Sequence, residues 1–260
     1  MKNSVFRLAL FRFQVLLRQK MGWGVLGGAS LFFPFALFLA TSSYVRPDKI
    51  YWDLCSGFCF LVSILLVSYL GTHLFQEENN RKTLSFVLTQ GSTREKWVLG
   101  NFAGISLLVS FAVLSWTLVL SLGALIFTHE LPPLLLYQAQ LYLLLESFVI
   151  LAFAMLFSFF LRPLLAWLLL LSLTSLLHSK GYLETLIVEA NYTGPLKLIY
   201  NTVIFVLNFL PPLEWWDIRM FVGFDEPVPM LHALGMLAIT FAWTTLGLFL
   251  SRLKMEMIDL

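Results

Sequence analysis

Glu146 sits inside the run YLLLESFVI (142–150), with no other charged residue between Glu130 and Arg162. A carboxyl in the middle of such a run costs about 2.5–3.5 kcal/mol on insertion scales, so it must face protein or a water-filled cavity. Two roles fit it: a cavity-lining, coupling or dimer-interface residue, or a protonated acid hydrogen-bonded between helices. Cys55 and Cys59 stand at i and i+4 and share a helix face. That spacing suits metal or redox chemistry, but free cysteines commonly serve as small buried hydrophobes, and two do not make a disulfide framework. His73, His129, His178 and His232 show no ligand spacing and are assigned to interfaces. One acid with no His or Asp partner in register is too little for acid–base or metal catalysis. No catalytic, metal or cofactor residues are therefore expected.

These residues sit in a chain of 260, of which 59% are hydrophobic and 12% charged, with mean hydropathy +0.83. Soluble domains carry about 25% charge, so this composition with several apolar runs of 18 or more predicts an integral membrane protein. The predicted spans are about 22–43, 54–74, 97–127, 135–161, 164–178 and 229–251. The fifth is short and follows the fourth across a tight Arg162-Pro163 turn. The expectation is one all-α transmembrane domain over 1–260 with six transmembrane helices. It comprises an amphipathic helix over 1–21, spans one to five over 22–178, an outer excursion over 179–228, and span six with its tail over 229–260. Arg7, Arg12 and Arg18 recur among Phe, Leu and Val, as in a helix lying on an anionic membrane surface. The following apolar run has no small-residue cleavage site, so no removable signal peptide is expected.

Basic residues in the loops set the orientation. With six spans and the N-terminus inside, twelve of the seventeen Lys and Arg residues are cytoplasmic and five are outside. A crossing by 195–213 would weaken that bias. The segment PLKLIYNTVIFVLNFLPPL (195–213) is interrupted by Asn201 and Asn208 and closed by Pro211-Pro212, so it is expected as an outer re-entrant or interfacial helix. The outer face carries nine acids, which could steer a cationic partner. Trp215 and Trp216 with Tyr192 and Tyr200 are expected as an outer aromatic belt.

FQEENNRKTLSFVLTQGSTREKWVLGNFAG (75–104) is the longest strongly polar stretch and falls between the second and third spans. Glu77 and Glu78 are expected in the first turn of a short helix, where carboxylates suit the N-terminus. Leu84, Val87 and Leu88 share one face, Gly91 is a plausible stop, and STRE (92–95) forms a capping box with Ser92 as N-cap and Glu95 three residues on. The prediction is an amphipathic helix held under the membrane, leading through Trp97 into the third span.

The pattern of an acidic pair followed by TL..VLTQ.STR...LGNF resembles the first cytoplasmic loop of permease subunits in type-2 ATP-binding-cassette exporters. Glu77 or Glu78, Thr83, Leu84, Val87, Leu88, Ser92, Arg94 and Gly100 match that loop, while Lys82, Gly91 and Asn101 depart from its usual Gly, Pro and Lys. FLPPLEWWDIRMFVG (209–223) is similar to the outer segment of the multicopper-enzyme-maturation permease group. The resemblance implies a coupling helix over 82–91 docking on a separate ATPase subunit, present in two copies that bind ATP and Mg. It also implies a second permease copy, identical or similar, in the inner (plasma) membrane with both termini cytoplasmic. Lipids and a periplasmic protein are further candidate partners; nucleic acid is not. The chain lacks a G-x-x-x-x-G-K-[ST] phosphate loop, so ATP hydrolysis is expected elsewhere. The alternative is a non-transporting membrane scaffold that docks a cytoplasmic protein through 75–96.

Overall fold

The computed structural model of the protein describes residues 4–42, 46–80, 93–128, 132–189, 195–218 and 228–257. Among them are nine α-helices and one 3-10 turn, with no strand. The helices are α1 (Ser4–Arg18), α2 (Lys20–Thr41), α3 (Pro47–Asn80), α4 (Arg94–Thr128), α5 (Leu134–Ser158), α6 (Pro163–His178), α7 (Lys180–Glu189), α8 (Pro195–Leu207) and α9 (Met230–Glu256). The 3-10 turn covers Leu213–Trp216.

Four of these helices, α3, α4, α5 and α9, are long and apolar enough to cross a membrane, consistent with a multi-pass membrane protein. The other two predicted spans are not among the four. At 16 residues, α6 reaches about 24 Å, short of a bilayer core of about 30 Å. The described apolar part of α2 covers Phe32–Thr41. The 13 residues of α8 give about 20 Å, too little to cross alone. Asn201, in the middle of α8, and Asn208, just past its end, are exposed.

The bundle is built around α5. Its sequence is apolar on every side, as a helix surrounded by others requires. It is the most enclosed of the four long helices, with 72% of its apolar window buried against 17% for α9. Small residues let its neighbours approach, the usual device where lipid removes the hydrophobic drive for helix pairing. Gly71 of α3 leaves room for Ala154, and Gly247 of α9 lies against Ala152, where a Cβ would come within 2.9 Å of the alanine's own. One helix thus takes α3 and α9 through alanines two residues apart.

The N-terminal helix is more than a surface element. It packs along the first half of α4, where Gly100 and Gly104 leave a shallow channel. A Cβ on Gly104 would meet the Ala9 carbonyl oxygen at 2.8 Å and Arg12 Cβ at 2.7 Å; one on Gly100 would run into Leu8. Phe13 meets Phe111 edge to face further along. Phe6 and Phe11 remain about two-thirds exposed, on a face away from this contact. The spacing GNFAG (100–104) is the small-xxx-small pattern of close helix pairs.

Candidate functional site

Two groups of polar residues lie inside the apolar bundle. The first is at the base of the segment between α3 and α4. Helix α3 runs unbroken to Asn80, so Glu77 and Glu78 belong to its last turn, correcting the expectation of a first turn. Carboxylates at a helix C-terminus oppose its dipole, and Glu78 is held there by two donors. Trp97 Nε1 donates to its Oε2 at 2.6 Å, and Arg12 Nη1 to its Oε1 at 3.3 Å. Trp97 itself is 1% exposed and belongs to the core rather than to an interface.

On the far side of the segment, Arg94 Nη1 donates to the carbonyls of Met255 at 2.9 Å and Glu256 at 2.8 Å. Both carbonyls belong to the last turn of α9, the end at which a helix leaves carbonyls for outside donors. The start of α4 also differs from the prediction by one residue. The N-cap position falls to Thr93, whose Oγ1 accepts the Lys96 N–H at 3.3 Å. Glu95, placed in a capping box by the sequence, instead meets Arg252 at 3.1 Å. Thr93 thus caps the first turn of α4 and Glu95 pairs with α9, while Ser92 lies outside the described residues.

Of the predicted coupling residues, Glu77, Glu78 and Arg94 are described; Thr83, Leu84, Val87, Leu88 and Ser92 lie outside the described residues. What the structure brings together is the neck. α1 enters through Arg12, α3 through Glu78, α4 through Trp97 and Arg94, and α9 through its C-terminus. Gln76 Nε2 adds the turn after α5, donating to the Leu161 carbonyl at 3.3 Å. Beside this neck an open crevice of about 400 Å³ lies between α1, α3 and Pro163, lined by Arg12, Gln19, His73 and Glu77 among others.

The second group is centred on Glu146, 1% exposed. The sequence supplied no histidine in register with it; the fold does. His178, the last residue of α6, places Nε2 2.7 Å from Glu146 Oε1. The short α6 ends at the depth of the middle of α5, which is why a residue 32 positions away arrives here. The imidazole stands edge to face with Phe60 of α3 at 5.0 Å between ring centroids. Of the other histidines, His73 stacks on Tyr69 at 4.0 Å, His232 lies near Tyr142, and His129 is outside the described residues.

Next to Glu146 is a cavity of about 10 Å³ lined by Ser56, Phe60, Gln140, Trp216 and Asp217 among others. Its outer wall is the segment around the 3-10 turn. Pro211, Leu213, Trp216 and Ile218 are buried, and Trp216 Nε1 donates to Thr240 Oγ1 of α9 at 3.1 Å. The placement of Trp216 in an aromatic belt is therefore corrected: at 2% exposure it belongs to the core, while Trp215 at 50% faces out. Next to the 3-10 turn an apolar cavity of about 150 Å³ lies between α5 and α6, lined by Val149, Phe153, Leu170 and Leu213 among others.

Cys55 and Cys59 are fully buried among apolar side chains. Among the described residues no group of three His, Cys, Asp or Glu side chains could hold a metal ion. No family model matches this chain, and no curated protein matches it.

Proposed function

We propose that this chain is the permease subunit of a type-2 ATP-binding-cassette transporter, spanning the inner membrane six times with both termini cytoplasmic. It would pair with a second copy or a similar permease and with two copies of a separate ATPase that binds ATP and Mg. The observation that carries the reading is the clamp at the neck of 81–92. Glu78 holds Trp97 and Arg12, and Arg94 holds the end of α9. A force applied to the segment between them reaches α1, α3, α4 and α9 together, which is the mechanical property a coupling loop needs.

The charge distribution supports the same assignment. The neck end gathers Arg12, Arg94 and Arg252, and the opposite end carries Asp217 and the cluster of Lys180, Glu184 and Glu214. An excess of basic residues on one side marks the cytoplasmic face. Export of a substrate, or mechanical work on a periplasmic partner, follows from the same coupling.

Photo-crosslinking groups at Leu84 and Val87 test the reading in native membranes. The expected product is a covalent adduct with a protein that contains a phosphate-binding loop. Glu78→Arg and Leu84→Pro should then abolish transport-linked ATPase stimulation while the helices stay folded. Adducts only with proteins lacking a nucleotide site would replace this reading with the scaffold, and full activity in both variants would remove the coupling role.

A further inference from the structure

The cavity of about 150 Å³ between α5 and α6 presents no polar surface. Thr174 is the one lining residue whose side chain has a polar atom, and its hydroxyl donates to the Leu170 carbonyl of the same helix at 2.8 Å. A buried water needs two to four polar partners, so this space does not hold water. A dry cavity of about 150 Å³ walled by Leu, Ile and Phe takes an uncharged molecule the size of benzene, about six carbons. Left empty, the atoms of its walls have no neighbours on one side and lose those dispersion contacts outright.

The walls give the space its shape. They run from Val149 to Phe157 on α5 and from Leu170 to Leu177 on α6, about two turns of each helix. Leu210, Pro211 and Leu213 close one side. A space drawn out along two helices suits a flexible chain lying between them better than a compact ring. Its deep walls, Val149, Ile150, Leu170, Leu177 and Leu213, are buried. Phe153, Phe157, Leu173 and Leu210 are half-buried and mark the mouth.

That mouth lies on the outward side of α6. Leu173 follows Leu169 by four residues and precedes Leu176 by three, so the three share a face, and Leu165 extends it by one more turn. Leu165, Leu169 and Leu176 are exposed. In a chain with four helices fit to cross a membrane, such a face meets lipid tails, which are as apolar as leucine itself. No charged residue lines the cavity, so a headgroup would find no partner there, and the methyl end of a chain is the part that fits.

We propose that the space between α5 and α6 is a binding site for an uncharged hydrocarbon group of about six carbons, entered from the leucine face of α6 and filled by the end of a bilayer lipid's acyl chain. The chain end restores the missing contacts on α5, on α6 and on the segment 210–213 together. A small apolar molecule dissolved in the bilayer shares this chemistry and is the other source to be separated. The site uses no ATPase partner and no ionisable group, so it stands or falls apart from the proposed function.

The test uses the full chain in lipid nanodiscs containing a trace of phosphatidylcholine with a diazirine at the end of one acyl chain. After illumination, carbene adducts are mapped by residue with mass spectrometry. Adducts are expected at buried Leu170, Leu177 and Leu213, with exposed Leu168 and Leu169 of the same face-to-lipid helix as the reference. A small aromatic diazirine in the same nanodiscs is the second arm. Val149→Phe places a ring inside the cavity and should lower labelling of Leu170 and Leu213, relative to Leu168, about tenfold, the equivalent of about 1.4 kcal/mol in occupancy. If that variant does not fold, Leu173→Phe, which narrows the mouth at a half-buried position, carries the same expectation. Cavity adducts from the aromatic probe alone would overturn the acyl chain as the occupant. Adducts confined to Leu168 and Leu169 with both probes, or undiminished cavity labelling in the folded variant, would overturn the site.

Discussion

Trp97 donates its indole N–H to Glu78 at 2.6 Å, joining the end of α3 to the start of α4 across 19 residues of chain. The same carboxylate takes Arg12 from α1. Three helices therefore meet on one acid that sits at the unfavourable end of its own helix dipole, and the acid's place depends on both donors.

Removing that acid should be felt by all three helices. Glu78→Ala leaves the Trp97 N–H and the Arg12 guanidinium without their shared acceptor, and unfolding in lipid or detergent should register a loss of about 1–3 kcal/mol. Trp97→Phe, which deletes one hydrogen bond and retains the ring, should cost about 1 kcal/mol in that bond plus any repacking. A double-mutant cycle between Arg12→Ala and Glu78→Ala should return a coupling well above zero. Additive effects would mean that the pair does not tie α1 to α3.

The two glycines under α1 should not be equivalent. A methyl on Gly100 meets the flexible Leu8 side chain, which can turn aside. A methyl on Gly104 meets the Ala9 carbonyl oxygen, which cannot. Gly104→Ala should release α1 from α4 and make residues 4–18 sensitive to protease, and Gly100→Ala should largely preserve the contact. Equal protection of α1 in both variants would refute the docking geometry.

Gly71 and Ala154 should exchange roles. Gly71→Ala puts a methyl onto the Ala154 methyl, and overpacking of this kind costs about 1–3 kcal/mol. Gly71→Ala combined with Ala154→Gly moves the methyl from one helix to the other and should recover much of the loss. Failure of the double variant to recover would show that the helices approach elsewhere.

The topology proposed for the membrane has its own measurement. Cysteines at Asn191 and Glu214 should react with an impermeant reagent from the same, outer side. Labelling from opposite sides would make 195–213 a crossing segment and would remove the six-span arrangement together with the family reading.

Helices and their positions were legible in the amino-acid sequence, because apolar runs of about 20 residues have few alternatives to helix where the backbone must satisfy itself. The helices α3, α4, α5 and α9 lie where composition put them, and Glu146 stood out as the lone acid in its run. The sequence also carries the close helix contact in GNFAG, whose small residues at 100 and 104 let α1 approach α4. The partners of these residues were settled only by the tertiary structure. His178 reaches Glu146 because α6 is short and ends at mid-depth, and no periodicity links residues 32 apart. Glu78 changed from the expected first turn of a new helix to the last turn of α3 because Arg12 and Trp97, from two other helices, offset the dipole there. Trp216 left the surface for the core because Thr240, on the last helix, offered its indole an acceptor. Local pattern determines which segments are helical, since that is decided within one segment's own backbone. Which polar groups meet is decided by helix lengths and crossing points, and those belong to the whole bundle.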